Sequence, residues 1–69
     1  MKYFSFFICE RGKGRELGGG YVRAPSATEA LRAVPFPDLD LTPLPDGSRW
    51  PAHATGPVAW EYRSPYLTQ

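Results

Sequence analysis

A chain of 69 residues with one cysteine, one histidine and a net charge of +1 has room for one small domain. One cysteine cannot close an intrachain disulfide, one histidine cannot complete a zinc site, and no apolar stretch approaches the roughly 20 residues of a membrane span. Ten aromatic residues and eight prolines are expected to stabilise the fold in place of a disulfide or a metal, because aromatic side chains bury a large area and prolines restrict the unfolded chain. We expect a single compact domain over residues 1–69 without a cofactor, and the lone cysteine favours a reducing, cytoplasmic location.

The first predicted element is a strand over residues 2–9. Its alternation places Phe4, Phe6 and Ile8 on one face. The opposite face, which includes Cys9, is also too apolar to be freely solvated, so we predict a central strand. The apolar run is too short for a signal peptide and charged residues follow it at once, so no targeting segment is expected.

A glycine-rich hairpin loop is predicted over residues 10–20, which hold five of the seven glycines and three basic residues. The returning strand is predicted at Tyr21–Ala24. Phosphate-binding glycine loops open a helix, and here a strand follows, so nucleotide binding is not expected.

A helix is predicted to begin at Ser26, which forms an S-x-x-E capping box with Glu29. Proline cannot continue a helix, so the helix ends before Pro35. The apolar stripe predicted to pack on the sheet consists of Ala27, Ala30, Leu31 and Val34.

Residues 35–47 form a proline-rich segment that we predict to be extended and to lie at a sheet edge, because proline is excluded from central strands. Asp38 and Asp40 are two positions apart in this segment, so their side chains share one face. The sequence Pro45–Gly47 predicts a turn.

The last predicted strand begins at Val58 and ends at Arg63. Its alternation predicts that Val58, Trp60 and Tyr62 point inward while Glu61 and Arg63 point outward. The order of elements predicts an α+β fold, a small antiparallel sheet of three to four strands with one short helix packed on a face.

Enzymatic activity is not expected. Cys9 and His53 are the only candidates for a thiolate and its base, and no orienting third group or charge stabiliser accompanies them. Charge is instead segregated along the chain: residues 1–23 carry five cationic and two acidic side chains, a balance of +3, while residues 24–48 carry one and four, a balance of −3. This pattern is typical of a binding protein.

The candidate partner-binding residues fall into three groups, namely basic hairpin residues, the acidic pair and aromatic residues expected to remain partly exposed. They are Arg11, Lys13, Arg15, Arg23, Asp38, Asp40, Trp50 and Tyr66.

The order of elements, from Lys2–Ile8 through Ser26–Leu31 to Trp60–Tyr62, resembles that of small phage-encoded anti-CRISPR proteins. The resemblance implies a stoichiometric inhibitor in the host cytosol that docks on a CRISPR-type nucleoprotein complex and blocks its nucleic-acid binding or, less often, recruitment of its nuclease. Either the acidic segment 38–46 would mimic DNA or the basic hairpin would fill an acidic groove, and the sequence does not choose between these two faces. The resemblance implies no role for any single residue. The alternative is a small nucleic-acid-binding or regulatory module that uses the basic hairpin 11–23, although the small net charge favours a protein partner. A structural or toxin–antitoxin component, which would self-associate, is a third hypothesis.

Overall fold

The computed structural model describes residues 1–10, 12 and 14–66. It contains four strands and one helix, and the class predicted from the sequence, α+β, is confirmed. The sheet is antiparallel throughout, in the order β3-β1-β2-β4. The elements are β1 (Lys2–Cys9), β2 (Glu16–Ala24), α1 (Ala27–Ala33), β3 (Leu39–Leu44) and β4 (Val58–Arg63).

The core lies on one face of the sheet, which we call the helix face. Its β1 contribution is the buried trio Phe4, Phe6 and Ile8, as the alternation predicts. The ring of Trp60 packs edge-on against Phe6, with ring centroids 5.2 Å apart, and against Phe36 at 6.1 Å. The buried remainder of this cluster is Val22, Ala24, Ala30 and Val34.

The two predictions about strand position are confirmed. β1 is central, between β2 and β3, which explains why both of its faces are rich in apolar side chains. β3 is an edge strand that pairs with β1, and it tolerates Pro43 because a proline at an edge can turn its missing N–H away from the ladder.

The helix begins as predicted, but it packs on the sheet through fewer residues. The Ser26 hydroxyl accepts a hydrogen bond from the Glu29 N–H at 3.3 Å, while the Glu29 carboxylate accepts one from Arg32 at 3.2 Å. Ala30 is buried, but Leu31 is 47 % exposed and Ala27 is exposed, so the predicted four-residue stripe is wrong for those two. A helix of seven residues makes only two turns, and one residue of it reaches the core.

The glycine-rich segment is only partly a loop. β2 starts at Glu16, so Gly18–Gly20 belong to the strand and not to the predicted loop 10–20. Gly20 has no room for a side chain, because a methyl group there would overlap the Ala59 carbonyl oxygen. Tertiary packing, which a local composition does not reveal, therefore overrides the low strand propensity of glycine.

A β-bulge changes the face of the last strand. The register passes from Gly20 opposite Trp60 to Gly19 opposite Tyr62, which leaves Glu61 as the extra residue. Tyr62 consequently lies on the face opposite the core and is 44 % exposed, so its predicted inward orientation is wrong. Arg63, predicted to point outward, lies on the helix face with its guanidinium 4.5 Å from the centre of the Trp60 ring.

Candidate functional site

The sheet face opposite α1, which we call the open face, is covered at one end by the loop that connects β3 to β4. The Trp50 ring packs edge-on against Tyr3 at 5.9 Å, and its indole N–H donates to the Ala54 carbonyl at 3.3 Å. Arg23 lies 4.5 Å from the centre of the Trp50 ring and donates to the Thr55 carbonyl at 3.2 Å. Trp50 and Arg23, both predicted to bind a partner, are therefore used to hold this loop against the sheet.

A tight turn starts the same loop. The Asp46 carboxylate accepts a hydrogen bond from the Ser48 N–H at 2.9 Å. Hydrogen bonds from the Ser48 side chain and backbone lower the pKa of Asp46. Gly47 lies directly against the Tyr3 ring, where a Cβ would approach within 2.8 Å, so glycine allows the loop to close over the sheet. The predicted turn at Pro45–Gly47 thus anchors the loop to Tyr3.

The other end of the open face is uncovered and carries two exposed aromatic side chains. Phe7 is 38 % exposed and Tyr62 is 44 % exposed. They lie on either side of Gly19, which is the direct cross-strand neighbour of both. A Cβ on Gly19 would lie 2.9 Å from the Tyr62 ring, so the ring rests on bare backbone. The glycine therefore lets Tyr62 lie flat on the sheet.

Carboxylates flank these aromatics. The Tyr62 hydroxyl donates to Glu16 at 2.7 Å. This hydrogen bond, together with partial burial and the negative charge of Glu16, raises the pKa of Tyr62 to about 12. Asp40 lies opposite Phe7 in the neighbouring strand. We call the group formed by Phe7, Cys9, Glu16, Asp40 and Tyr62 the acidic-aromatic patch.

Cys9 lies within this patch, where its surroundings disfavour the thiolate form. Partial burial raises the pKa of its thiol, and the neighbouring carboxylates of Asp40, Glu16 and Asp38 raise it further. Reactive thiols have the opposite property, a pKa lowered by nearby positive charge. His53, the other residue of the hypothetical dyad, is exposed in the loop that covers the far end of the open face.

The acidic pair is placed as predicted. Asp40 is paired with Phe7, and the Cys9 N–H donates to the Asp38 carbonyl at 3.4 Å, so both aspartates lie on the open face, Asp40 within the patch and Asp38 beside it. That Asp38 and Asp40 share a face is confirmed. Their role in binding a partner stays a prediction.

The basic hairpin is partly neutralised. Arg15 donates from Nε and Nη2 to the Glu10 carboxylate at 3.1 and 2.6 Å, and its guanidinium lies 4.3 Å from the centre of the Tyr66 ring. Tyr66 is 64 % exposed. Arg11 and Lys13 lie outside the described residues. In the described part of the hairpin, Arg15 is thus directed to an intramolecular carboxylate.

A separate groove of about 480 Å³ lies where β1 begins and β3 ends. Its charged side chains are Lys2 and Asp46, and it is otherwise walled by apolar residues and backbone around Tyr3 and Leu44. It lies at the opposite end of the sheet from the acidic-aromatic patch.

Sequence reasoning did not select Phe7, Cys9 or Glu16 as binding residues. The alternation of β1 places Phe7 on the face opposite Phe4, Phe6 and Ile8, so the sequence indicates that Phe7 lies outside the core. The position of Glu16 and the open-face orientation of Tyr62 depend on strand bounds and on β-bulges, which local sequence does not show.

No family model, curated protein or solved structure matches the chain. Within residues 1–10, 12 and 14–66, no helix has the length and apolarity to cross a bilayer. The same residues contain no group of three or more histidine, cysteine, aspartate or glutamate side chains arranged to hold a metal ion.

Proposed function

We propose that this chain is a non-enzymatic protein-interaction module that docks a basic protein surface onto its acidic-aromatic patch. The observation that carries the proposal is the pair of exposed aromatics, Phe7 and Tyr62, set between the carboxylates of Glu16 and Asp40. Aromatic side chains are typical anchors of protein interfaces, and the surrounding carboxylates select a partner of opposite charge.

The contacts of the arginines support the choice of this patch over the hairpin. Arg15 is held by Glu10, and Arg23 is held by the Trp50 ring and the Thr55 carbonyl. In the patch Asp40 is exposed, and Glu16 is exposed although it accepts the Tyr62 hydroxyl. A basic protein groove that normally holds nucleic acid is the kind of surface that matches such a patch. We therefore propose, in line with the anti-CRISPR resemblance, that the chain inhibits a host CRISPR-type nucleoprotein complex by occupying its nucleic-acid groove.

The test is capture of purified RNA-guided effector complexes by the tagged chain after nuclease treatment, with target DNA added as a competitor. We expect Phe7→Thr and Asp40→Lys to weaken capture by on the order of tenfold or more, and excess DNA to displace the chain. Matched controls on the helix face are Leu31→Ala and Glu29→Lys, which alter an exposed apolar side chain and a carboxylate without touching the patch.

Two outcomes oppose the proposal. Equal loss of capture with the helix-face controls would exclude the patch as the docking surface. Capture of nuclease-sensitive material alone, with affinity that falls steeply as salt rises and is lost on reversing Arg11, Lys13 and Arg15 to glutamate, would instead support the nucleic-acid-binding alternative.

A further inference from the structure

The outer edge of β3 carries backbone groups that point away from the sheet. The Cys9 N–H donates to the Asp38 carbonyl, which makes these two residues a hydrogen-bonded pair of the antiparallel ladder. Such pairs alternate with non-hydrogen-bonded pairs, so Asp40 and Thr42 direct their backbone groups toward β1. The backbone groups of Leu39, Leu41 and Pro43 therefore face outward.

This edge is open and is also partly apolar. Within the described residues β3 pairs with β1 alone. Leu39 and Leu41 lie on the helix face and are only half-buried against the core cluster. An added antiparallel strand would exchange both backbone hydrogen bonds with each of these leucines, but only one with Pro43, which has no N–H.

The two faces of the edge specify different side chains on such a strand. Residues opposite Leu39 and Leu41 would extend the apolar cluster on the helix face, so aliphatic side chains fit there. Residues opposite Asp38 and Asp40 would stand on the open face beside two carboxylates, so basic side chains fit there. The edge thus matches an extended segment that alternates aliphatic and basic residues.

We propose that β3 binds an extended segment of the partner protein by β-strand addition, with lysine or arginine opposite Asp38 and Asp40 and aliphatic residues opposite Leu39 and Leu41. The inference rests on the proposed function, because it names the part of the protein partner that is recognised. A second copy of the chain fits less well, since antiparallel pairing of two β3 strands would gather the aspartates of both copies on one strip of the open face.

The probe is a synthetic peptide of about seven residues that alternates valine and lysine, with both ends capped. Its binding is followed by NMR, through the chemical shifts and the hydrogen exchange of the backbone amides. We expect the amides of Leu39 and Leu41 to become protected on binding. A peptide that alternates valine and glutamate is expected to bind on the order of tenfold more weakly, and Asp38→Lys/Asp40→Lys to reverse that preference.

N-methylation separates backbone pairing from nonspecific charge attraction. Methyl groups on the backbone nitrogens of the valines block the hydrogen bonds to the edge and are expected to abolish amide protection. Methyl groups on the backbone nitrogens of the lysines, which face away from β3, are expected to leave the protection intact. Equal loss with both peptides, binding without protection at Leu39 and Leu41, or no binding at the solubility limit would overturn the proposal. Protection that rises with protein concentration in the absence of peptide would overturn it in favour of self-pairing.

The failure of this inference is distinguishable from failure of the proposed function. If the peptide does not protect β3 while Phe7→Thr still weakens capture of the effector complex, the edge proposal falls and the patch proposal stands. If no effector complex is captured by the unaltered chain, the proposed function falls, whatever the peptide does.

Discussion

Replacement of Gly20 by alanine tests the packing that positions the acidic-aromatic patch. β4 crosses β2 at this residue so closely that an added methyl group would overlap the Ala59 carbonyl oxygen. The same methyl group would lie 2.9 Å from the Trp60 Cα and 3.0 Å from the Glu61 nitrogen. All three are backbone atoms, so no side-chain rotation relieves the overlap and β4 must move away from β2.

The cost can be worked out from the contacts that this movement breaks. The backbone N–H of Arg23 donates to the Pro57 carbonyl at 2.9 Å. Because hydrogen-bonded pairs alternate along the ladder, the Tyr21–Ala59 pair exchanges two further backbone hydrogen bonds. Loss of two to three such bonds costs about 2–3 kcal/mol, and partial exposure of Trp60 adds about 1 kcal/mol. Relief of the glycine penalty in a strand returns at most about 1 kcal/mol. The net destabilisation is about 3 kcal/mol, a large fraction of the roughly 3–10 kcal/mol typical of a chain of this length.

The measurement is urea and thermal unfolding followed by tryptophan fluorescence and circular dichroism. Gly20→Ala is expected to lower Tm by about 12 °C or more. The matched control is Gly56→Ala, where no atom lies within 4 Å of the added Cβ and the φ angle is not positive, so the change in the free energy of unfolding should stay within about 1 kcal/mol of zero. If the two variants unfold within a few degrees of each other, the close crossing of β4 over β2 is wrong.

Three further outcomes are expected. Glu16→Gln should lower the pKa of Tyr62 from about 12 toward its ordinary value of 10, as measured by tyrosinate absorbance. Because the pKa of Tyr62 is higher in the folded than in the unfolded state, the stability that this hydrogen bond contributes is complete below pH 10 and is lost as the pH rises toward 12. Asp40→Asn should lower the pKa of Cys9 and speed its alkylation by iodoacetamide at neutral pH, and an unchanged rate would contradict the electrostatic effect of that carboxylate. Ser26→Ala should cost about 1 kcal/mol in chemical denaturation through loss of the helix N-cap.

The sequence predicts those parts of the fold that depend on neighbouring residues. The alternation of β1 suffices to place Phe4, Phe6 and Ile8 in the core, and the prolines suffice to place β3 at an edge. Tyr62 is different. The face on which Tyr62 lies is decided by a bulge at Glu61, and that bulge depends on the pairing of β4 with β2. The alternation of residues within β4 therefore cannot predict the orientation of Tyr62.

The candidate site was predictable only in part for a related reason. The spacing of Asp38 and Asp40 fixes a shared face once the segment is extended, and that prediction is confirmed. Charge counted along the chain does not reveal pairing in space, so the sequence does not show that Arg15 contacts Glu10 and that Arg23 contacts Trp50. The role of both arginines in binding a partner stays a prediction.

The strand order has a consequence for how the sheet opens. The hairpin of β1 and β2 separates the two outer strands, and each outer strand is bonded to a different member of the hairpin. Detachment of β3 therefore breaks none of the ladder bonds of β4, and the reverse also holds. We therefore expect the two edges to open as separate local units, with uncorrelated amide exchange at β3 and β4. An exchange of strand partners at one edge would leave the ladder bonds of the other edge intact.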